Sequence, residues 1–393
     1  MKSSNKNVIV AIVAIAIIAL LYLVVFRDDK SNDASSTIKI GAPLSLTGTL
    51  AHGGIEASNA LKMLVDEVNA AGGIKGRKVE LIVGNTNTEP ERAGSVATKL
   101  ANEDKVLAII GPDNTGTALA VKLQVAEPDE VVAISVTGSS PKLTDDNPRW
   151  FFRGATPAAY QMRSLSDYLI QKRGYKKIAI LCDAMLTDQA DALKNDLARF
   201  NLEPVAMETH KSGATNFNGQ LLSIRPLEPD VIFFIGFVTE CVSAIKQARD
   251  MGINAQFAGS IGIVYDELCT VGGSAVEGVL GTIGFTASNL DPKVQEFCEK
   301  FIKLYKETPA HAAGQAYDQL TLVLQAIRES DLTFKPADLR EDRRKIRDWL
   351  ETKANGFQGL TGRINYTRDD HTAYKEVNIM IVQDGKWKVL KDE

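Results

Sequence analysis

The sequence predicts an α/β protein with two doubly wound lobes in succession, preceded by one N-terminal transmembrane helix. Three observations carry that expectation. From Ile38 onward, short apolar runs alternate with stretches whose apolar residues recur at helical spacing, the pattern of parallel strands joined by helices. After Pro157 the alternation starts again, so a second sheet follows the first. Ahead of both, Lys2 and Lys6 precede the continuous apolar run Val8–Phe26, about as long as one bilayer crossing requires.

The first series opens with a strand at Ile38–Pro43 and a Gly-, Ser- and Thr-rich loop, Leu44–Gly54. A helix follows to Ala70, with Ala57, Leu61, Leu64, Val65 and Val68 on one face and Gly72-Gly73 as its stop. Val79–Gly84 reads as the second strand, and Thr88-Glu89-Pro90-Glu91 as a helix start with proline and acids in the first turn. Ala93, Val96, Ala97 and Leu100 turn that helix inward. Val106–Ile110 and Val131–Val136 are uniformly apolar and short, as buried parallel strands are. Trp150–Gly154 closes the series as a short strand whose aromatics pack against the first lobe.

The second series reads helix Ala158–Arg173, strand Lys177–Cys182, helix Asp188–Phe200 and strand Val205–His210. It continues with helix Phe217–Arg225, strand Asp230–Gly236, helix Thr239–Met251 and the short strands Phe257–Gly259 and Val276–Gly281. Helices Pro292–Lys306, Ala312–Glu329 and Arg340–Lys353 follow. The tail is β: Gly362–Tyr366, Val377–Val382 and Lys386–Leu390, the last two joined at Asp384-Gly385.

Composition narrows the function. A net charge of −4 without a basic face excludes nucleic-acid binding, because nothing is there to neutralise phosphates. Cys182, Cys241, Cys269 and Cys298 match no zinc or redox spacing and read as buried thiols. The four histidines lie too far apart to suggest a metal site, no cofactor is implied, and no nucleophile elbow, Walker loop or HExxH helix marks an enzyme. The N-terminal apolar run passes straight into Arg27-Asp28-Asp29-Lys30, without a small-x-small exit or a cysteine to take a lipid. An uncleaved anchor with its lysines inside puts the rest of the chain outside the cytoplasmic membrane.

Two strand ends outline a site. Gly111-Pro112-Asp113-Asn114 breaks the strand at Val106–Ile110, and Thr115-Gly116-Thr117 leads into a helix. The neighbouring strand, Val131–Val136, ends in Thr137-Gly138-Ser139-Ser140-Pro141. Open sheets bind ligands outside the carboxyl ends of their strands, and a helix start flanked by hydroxyls suits an anion.

Several motifs in one order carry a resemblance. They are Ile38-Lys39-Ile40-Gly41-Ala42-Pro43-Leu44-Ser45-Leu46-Thr47-Gly48, Asn69-Ala70-Ala71-Gly72-Gly73-Ile74-Lys75-Gly76, Ile109-Ile110-Gly111-Pro112 and Pro229-Asp230-Val231-Ile232-Phe233-Phe234. Gln247-Ala248-Arg249-Asp250-Met251-Gly252 and Ala316-Tyr317-Asp318 complete the set. From about Thr37 to Leu390 the chain resembles the type I periplasmic binding proteins that feed ABC importers, in the branch that binds leucine, isoleucine and valine. The resemblance implies two Rossmann-like doubly wound lobes joined by a three-strand hinge, with the ligand in the cleft and an ABC permease as partner. It divides the chain into residues 1–36 as anchor and linker, 37–156 plus 284–360 as the first lobe, and 157–283 plus 361–393 as the second. A ligand sensor that reports to a signalling partner would use the same two lobes, and the residues do not separate the two roles.

The resemblance places the grip on a ligand carboxylate at Thr115, Thr137 and Ser139, the tips already picked out. In the second lobe it expects an acid for the ligand's ammonium where this chain has Ile261, an aromatic where it has Phe237, and altered closing loops at His52 and Asp183. The ligand then lacks an amine, as an aliphatic or aromatic carboxylate does, or Asp183, Glu240 or Asp266 takes the acid's place.

Overall fold

Apolar runs with no polar face become the inner strands of two sheets. The structure, a computed structural model, describes residues 37–375 and 377–390; the expected anchor at Val8–Phe26 lies outside them. Among the described residues no helix is long and apolar enough to cross a membrane.

The first sheet is built from β1 (Thr37–Leu44), β2 (Lys78–Asn85), β3 (Ala108–Gly111), β4 (Val132–Ser135) and β5 (Phe151–Arg153), in the order β2-β1-β3-β4-β5. β1 with β3, β3 with β4 and β4 with β5 run parallel, with Ile40 opposite Ala108 and Ala133 opposite Phe151. The connections are α1 (Ala51–Ala70), α2 (Pro90–Asn102) and α3 (Thr115–Val121), which runs on as wider turns over Lys122–Ala126. α1 starts inside the stretch expected to be loop. Gly53 and Gly54 belong to its first turn because a Cβ on Gly54 would meet the Ser45 carbonyl oxygen at 2.1 Å. Close approach, not flexibility, explains that glycine.

The second sheet follows from α4 (Ala158–Ser166): β6 (Ile178–Asp183), α5 (Thr187–Leu197), β7 (Ala206–His210), α6 (Asn218–Ile224), β8 (Val231–Ile235), α7 (Val238–Asp250), β9 (Gln256–Gly259), α8 (Asp266–Gly272) and β10 (Leu280–Ile283). The chain then makes α9 (Pro292–Tyr305), α10 (His311–Glu329), α11 (Leu339–Lys353) and a small hairpin of β11 (Phe357–Gly359) and β12 (Gly362–Ile364). It ends with β13 (Asn378–Gln383) and β14 (Lys386–Val389). The order is β14-β13-β10-β9-β8-β6-β7, with β13 antiparallel to both of its neighbours. Helices cover both faces, so alternate residues of β8 enter different cores: Ile232 and Phe234 one, Val231, Phe233 and Ile235 the other. α8 and β11 are too short to have stood out in the sequence. All four cysteines are buried and free.

α10 and α11 return to the first lobe, where Ala316, Leu320, Val323 and Leu350 share a core with β1, β3 and β4. The chain therefore passes between the sheets three times, after β5, after β10 and after β12. The expected switch to the second lobe at residue 361 is corrected here. Ile364, Tyr366 and Ala373 are buried in the first core, and the Tyr366 hydroxyl donates to the Arg153 carbonyl at 3.2 Å. A buried ring with its hydroxyl satisfied holds this segment to the first lobe, and the chain joins the second sheet only at β13. The crossings are tied to each other. Lys375 N donates to Thr156 Oγ1 at 3.3 Å, and Lys375 Nζ donates to Thr361 Oγ1 at 2.6 Å. Thr361 in turn donates to Asp318 through its amide at 2.8 Å.

Candidate ligand-binding site

The carboxyl ends of β3 and β4 place two loops side by side, and hydrogen bonds lock them. Asp113, after β3, is buried, and its carboxylate accepts from the Ser45 amide at 2.7 Å and the Ser45 hydroxyl at 2.8 Å. That ties the loop after β3 to the one after β1. Thr137, after β4, donates its hydroxyl to the Asp113 carbonyl. Asn114 caps α3 by accepting from Thr117 N at 3.0 Å, which leaves the amides of Thr115 and Gly116 ahead of any intrahelical acceptor.

These loops form one wall of a cavity of about 380 Å³ whose lining includes Asp113, Thr115, Thr137, Ser139 and Leu119. The opposite wall belongs to the second lobe: Met185, Leu186, Phe237, Ser260, Ile261 and Tyr265. Of the seven residues picked from the sequence, Thr115, Thr137, Ser139, Phe237 and Ile261 come together here. Their roles differ. The Thr137 proton is committed to its own scaffold, so Thr137 is a tie between loops, whereas the hydroxyls of Thr115 and Ser139 face the cavity without such a tie.

Two of the seven are corrected. His52 lines only a smaller adjoining chamber of about 130 Å³ and lies 3.7 Å from Glu56, because the early start of α1 carries it out of the loop. Asp183 lines neither chamber. It is fully buried, accepting from Met185 N at 2.8 Å and from the Ser212 hydroxyl at 2.6 Å, so both oxygens serve its own turn.

The lobes also touch on either side of the cavity. At one edge, the Ser140 hydroxyl donates to Asp188 Oδ2 on α5, and Lys142 Nζ lies 4.0 Å from Asp188 Oδ1. At the other edge, the ring of Tyr265 meets His311 at 4.5 Å and His52 edge-on at 6.0 Å. A Cβ on Gly53 would lie 3.1 Å from the Tyr265 hydroxyl, so glycine admits the ring.

Burial dominates the electrostatics behind the first wall. It pushes the Glu56 carboxyl up to about 8, although Glu56 accepts from Ala310 N at 3.0 Å. It holds His311 down at about 3, a neutral imidazole at neutral pH. Glu56 Oε2 and His311 Nδ1 have no hydrogen-bond partner among the described residues. Asp113 is also raised by burial, against the pull of its Ser45 bonds. Asp113, Asp188, Tyr265 and His311 were not picked from the sequence. An acid beside the capping Asn114 and another in the first turn of α5 were local signals for two of them. Nothing local links residues 265 and 311.

Comparison with known proteins follows this geometry. The family model described as periplasmic binding protein matches residues 37–386. An amino acid binding protein of Pseudomonas aeruginosa is 29% identical over 338 residues, covering 85% of this chain and 87% of that one. A Leu/Ile/Val-binding protein homolog of Brucella abortus is 30% identical over 278 residues, covering 68% of this chain and 71% of its own. Among solved structures, the branched-chain amino acid transporter substrate binding protein LivJ of Streptococcus pneumoniae, in complex with isoleucine, superposes with a TM-score of 0.80 at 28% identity. It covers 90% of this chain and 98% of that one.

Proposed function

Since the chain belongs to the periplasmic binding proteins, a family of solute receptors and not of enzymes, we propose that it is an extracytoplasmic solute-binding protein of an ABC importer. It captures a small carboxylate, such as a branched-chain amino acid or a related compound, between its lobes and presents the closed form to a permease. Val8–Phe26 tethers it to the cytoplasmic membrane.

The observation that carries this reading is the cavity's polar wall. The Thr115 and Ser139 hydroxyls and the first-turn amides of α3 line a preformed cup whose loops are already held by Asp113 and Thr137. A carboxylate needs donors fixed in advance, and short hydroxyls with helix-start amides supply them without a mobile charge. The opposite wall offers apolar contact to the rest of the molecule. Three bonded crossings allow the lobes to hinge, so closure buries the ligand, and the closed form is favoured only by contacts that both faces make.

Calorimetry with small carboxylates tests the cup. Thr115→Ala or Ser139→Ala weakens binding by about 1–3 kcal/mol through the lost donor. Unchanged affinity in both variants sinks the reading.

A further inference from the structure

A ligand buried in this cavity meets very few charges, and each of them is already engaged. Asp113 has its two oxygens on the amide and the hydroxyl of Ser45, at 2.7 and 2.8 Å. Asp188 takes the Ser140 hydroxyl on one oxygen and faces the Lys142 ammonium at 4.0 Å with the other. His311 carries no charge at neutral pH and adds none.

The acids that the sequence offered as substitutes do not reach the cavity. Both oxygens of Asp183 serve Met185 and Ser212. Glu240 accepts from Gly213 N at 2.7 Å and lines only the smaller chamber. Asp266 is exposed and absent from both linings. Facing the cup on the second wall stands Ile261, 5% exposed. Its backbone is pinned, because Ile261 N donates to Gln161 Oε1 at 3.1 Å and Gln161 Nε2 donates to the Thr156 carbonyl at 2.7 Å. A hydrocarbon is thereby fixed on the wall opposite the anion's donors. An ammonium closed into this space loses its water and finds no free carboxylate, and a buried charge without a partner is strongly disfavoured.

We propose that the ligand is an amine-free carboxylic acid with a hydrocarbon body, and that Ile261 is the residue that discriminates against α-amino acids. The inference rests on the carboxylate reading above and narrows it.

The test compares the full-length chain's affinity for 4-methylpentanoate with that for leucine, and for 3-phenylpropanoate with that for phenylalanine. These pairs differ only in the amine. The methyl ester of each acid is measured beside them. The amine-free acid binds at least 100-fold tighter than its amino-acid partner, and the ester loses that binding. Ile261→Glu, which sets a carboxylate on the second wall, moves the ratio at least tenfold toward the amino acid. The wild-type comparison decides the matter even if that variant fails to fold. Leucine or phenylalanine binding as tightly as its amine-free partner overturns the inference and leaves the carboxylate cup standing. An ester that binds as well as its acid, or a panel in which no acid or amino acid binds, overturns the cup and the inference together.

Discussion

The two walls of the cavity come from the same kind of element, a parallel strand that ends in a loop and a helix start, yet they are built oppositely. The first-lobe wall is polar and buried: Asp113, Ser139 and His311 are 5%, 7% and 1% exposed, with Glu56 at 3% behind them. The second-lobe wall is mostly apolar, with Phe237 and Ile261 beside Met185, which is 71% exposed and unbranched and so adapts to what it touches. The difference teaches a division of labour. A wall that recognises charge needs its dipoles fixed before the ligand arrives, at a cost in stability, because each polar group is desolvated. A wall that recognises shape needs only complementary apolar surface.

If that contrast holds, the pH dependence of stability belongs to the first wall. Glu56, raised from 4.5 to about 8, keeps its proton in the folded chain after the unfolded chain has lost it. Its contribution therefore falls as pH rises from about 4.5 to 8. His311, lowered from 6.5 to about 3, is neutral when folded while the unfolded imidazole is charged, so its contribution rises with pH across that window. The two slopes oppose each other between 4.5 and 6.5 and leave the fall due to Glu56 above it. Glu56→Gln keeps an acceptor for Ala310 N and removes the fall. Relative to the parent, the variant gains roughly 4 kcal/mol between acid and mildly alkaline pH, read from melting midpoints against pH. Parallel curves for the two proteins would break the contrast at its strongest point.

The next largest effect is at Asp113. Asp113→Ala orphans the buried Ser45 amide, while the Ser45 hydroxyl keeps Thr86 at 3.1 Å. The loss of stability is about 1–3 kcal/mol in denaturant titration, with weaker ligand binding as the cup loosens. An equal loss of stability without a change in affinity would mean that the cup does not depend on this tie.

Tyr265→Ala probes the other wall. It removes the ring that docks against His311 and Gly53 and lowers affinity about tenfold, or ~1.4 kcal/mol, mainly through faster release measured by stopped flow. The smallest effect is at the exposed edge. Lys142→Ala leaves Asp188 bonded to Ser140 and costs about 0.2–1 kcal/mol of closure, seen as a shift in affinity that shrinks at high salt.

The sequence by itself determined the elements and the first wall. Strands, helix starts and the two hydroxyl-rich tips are written in neighbouring residues, through period, caps and turn chemistry, so Val106–Ile110 and Thr115 could be read locally. What only the tertiary structure decided was who serves whom. Thr137 became a loop tie, Asp183 was consumed by its own turn, and Gly53 and Gly54 became helix. Tyr265 also came to rest against His311. Each of these depends on where a distant segment of chain arrives: Ser45 lies 68 residues from Asp113, and no local pattern encodes that meeting. Hydrogen-bond capacity is a property of a residue, but whether any of it remains for a ligand is settled only when the lobes are packed.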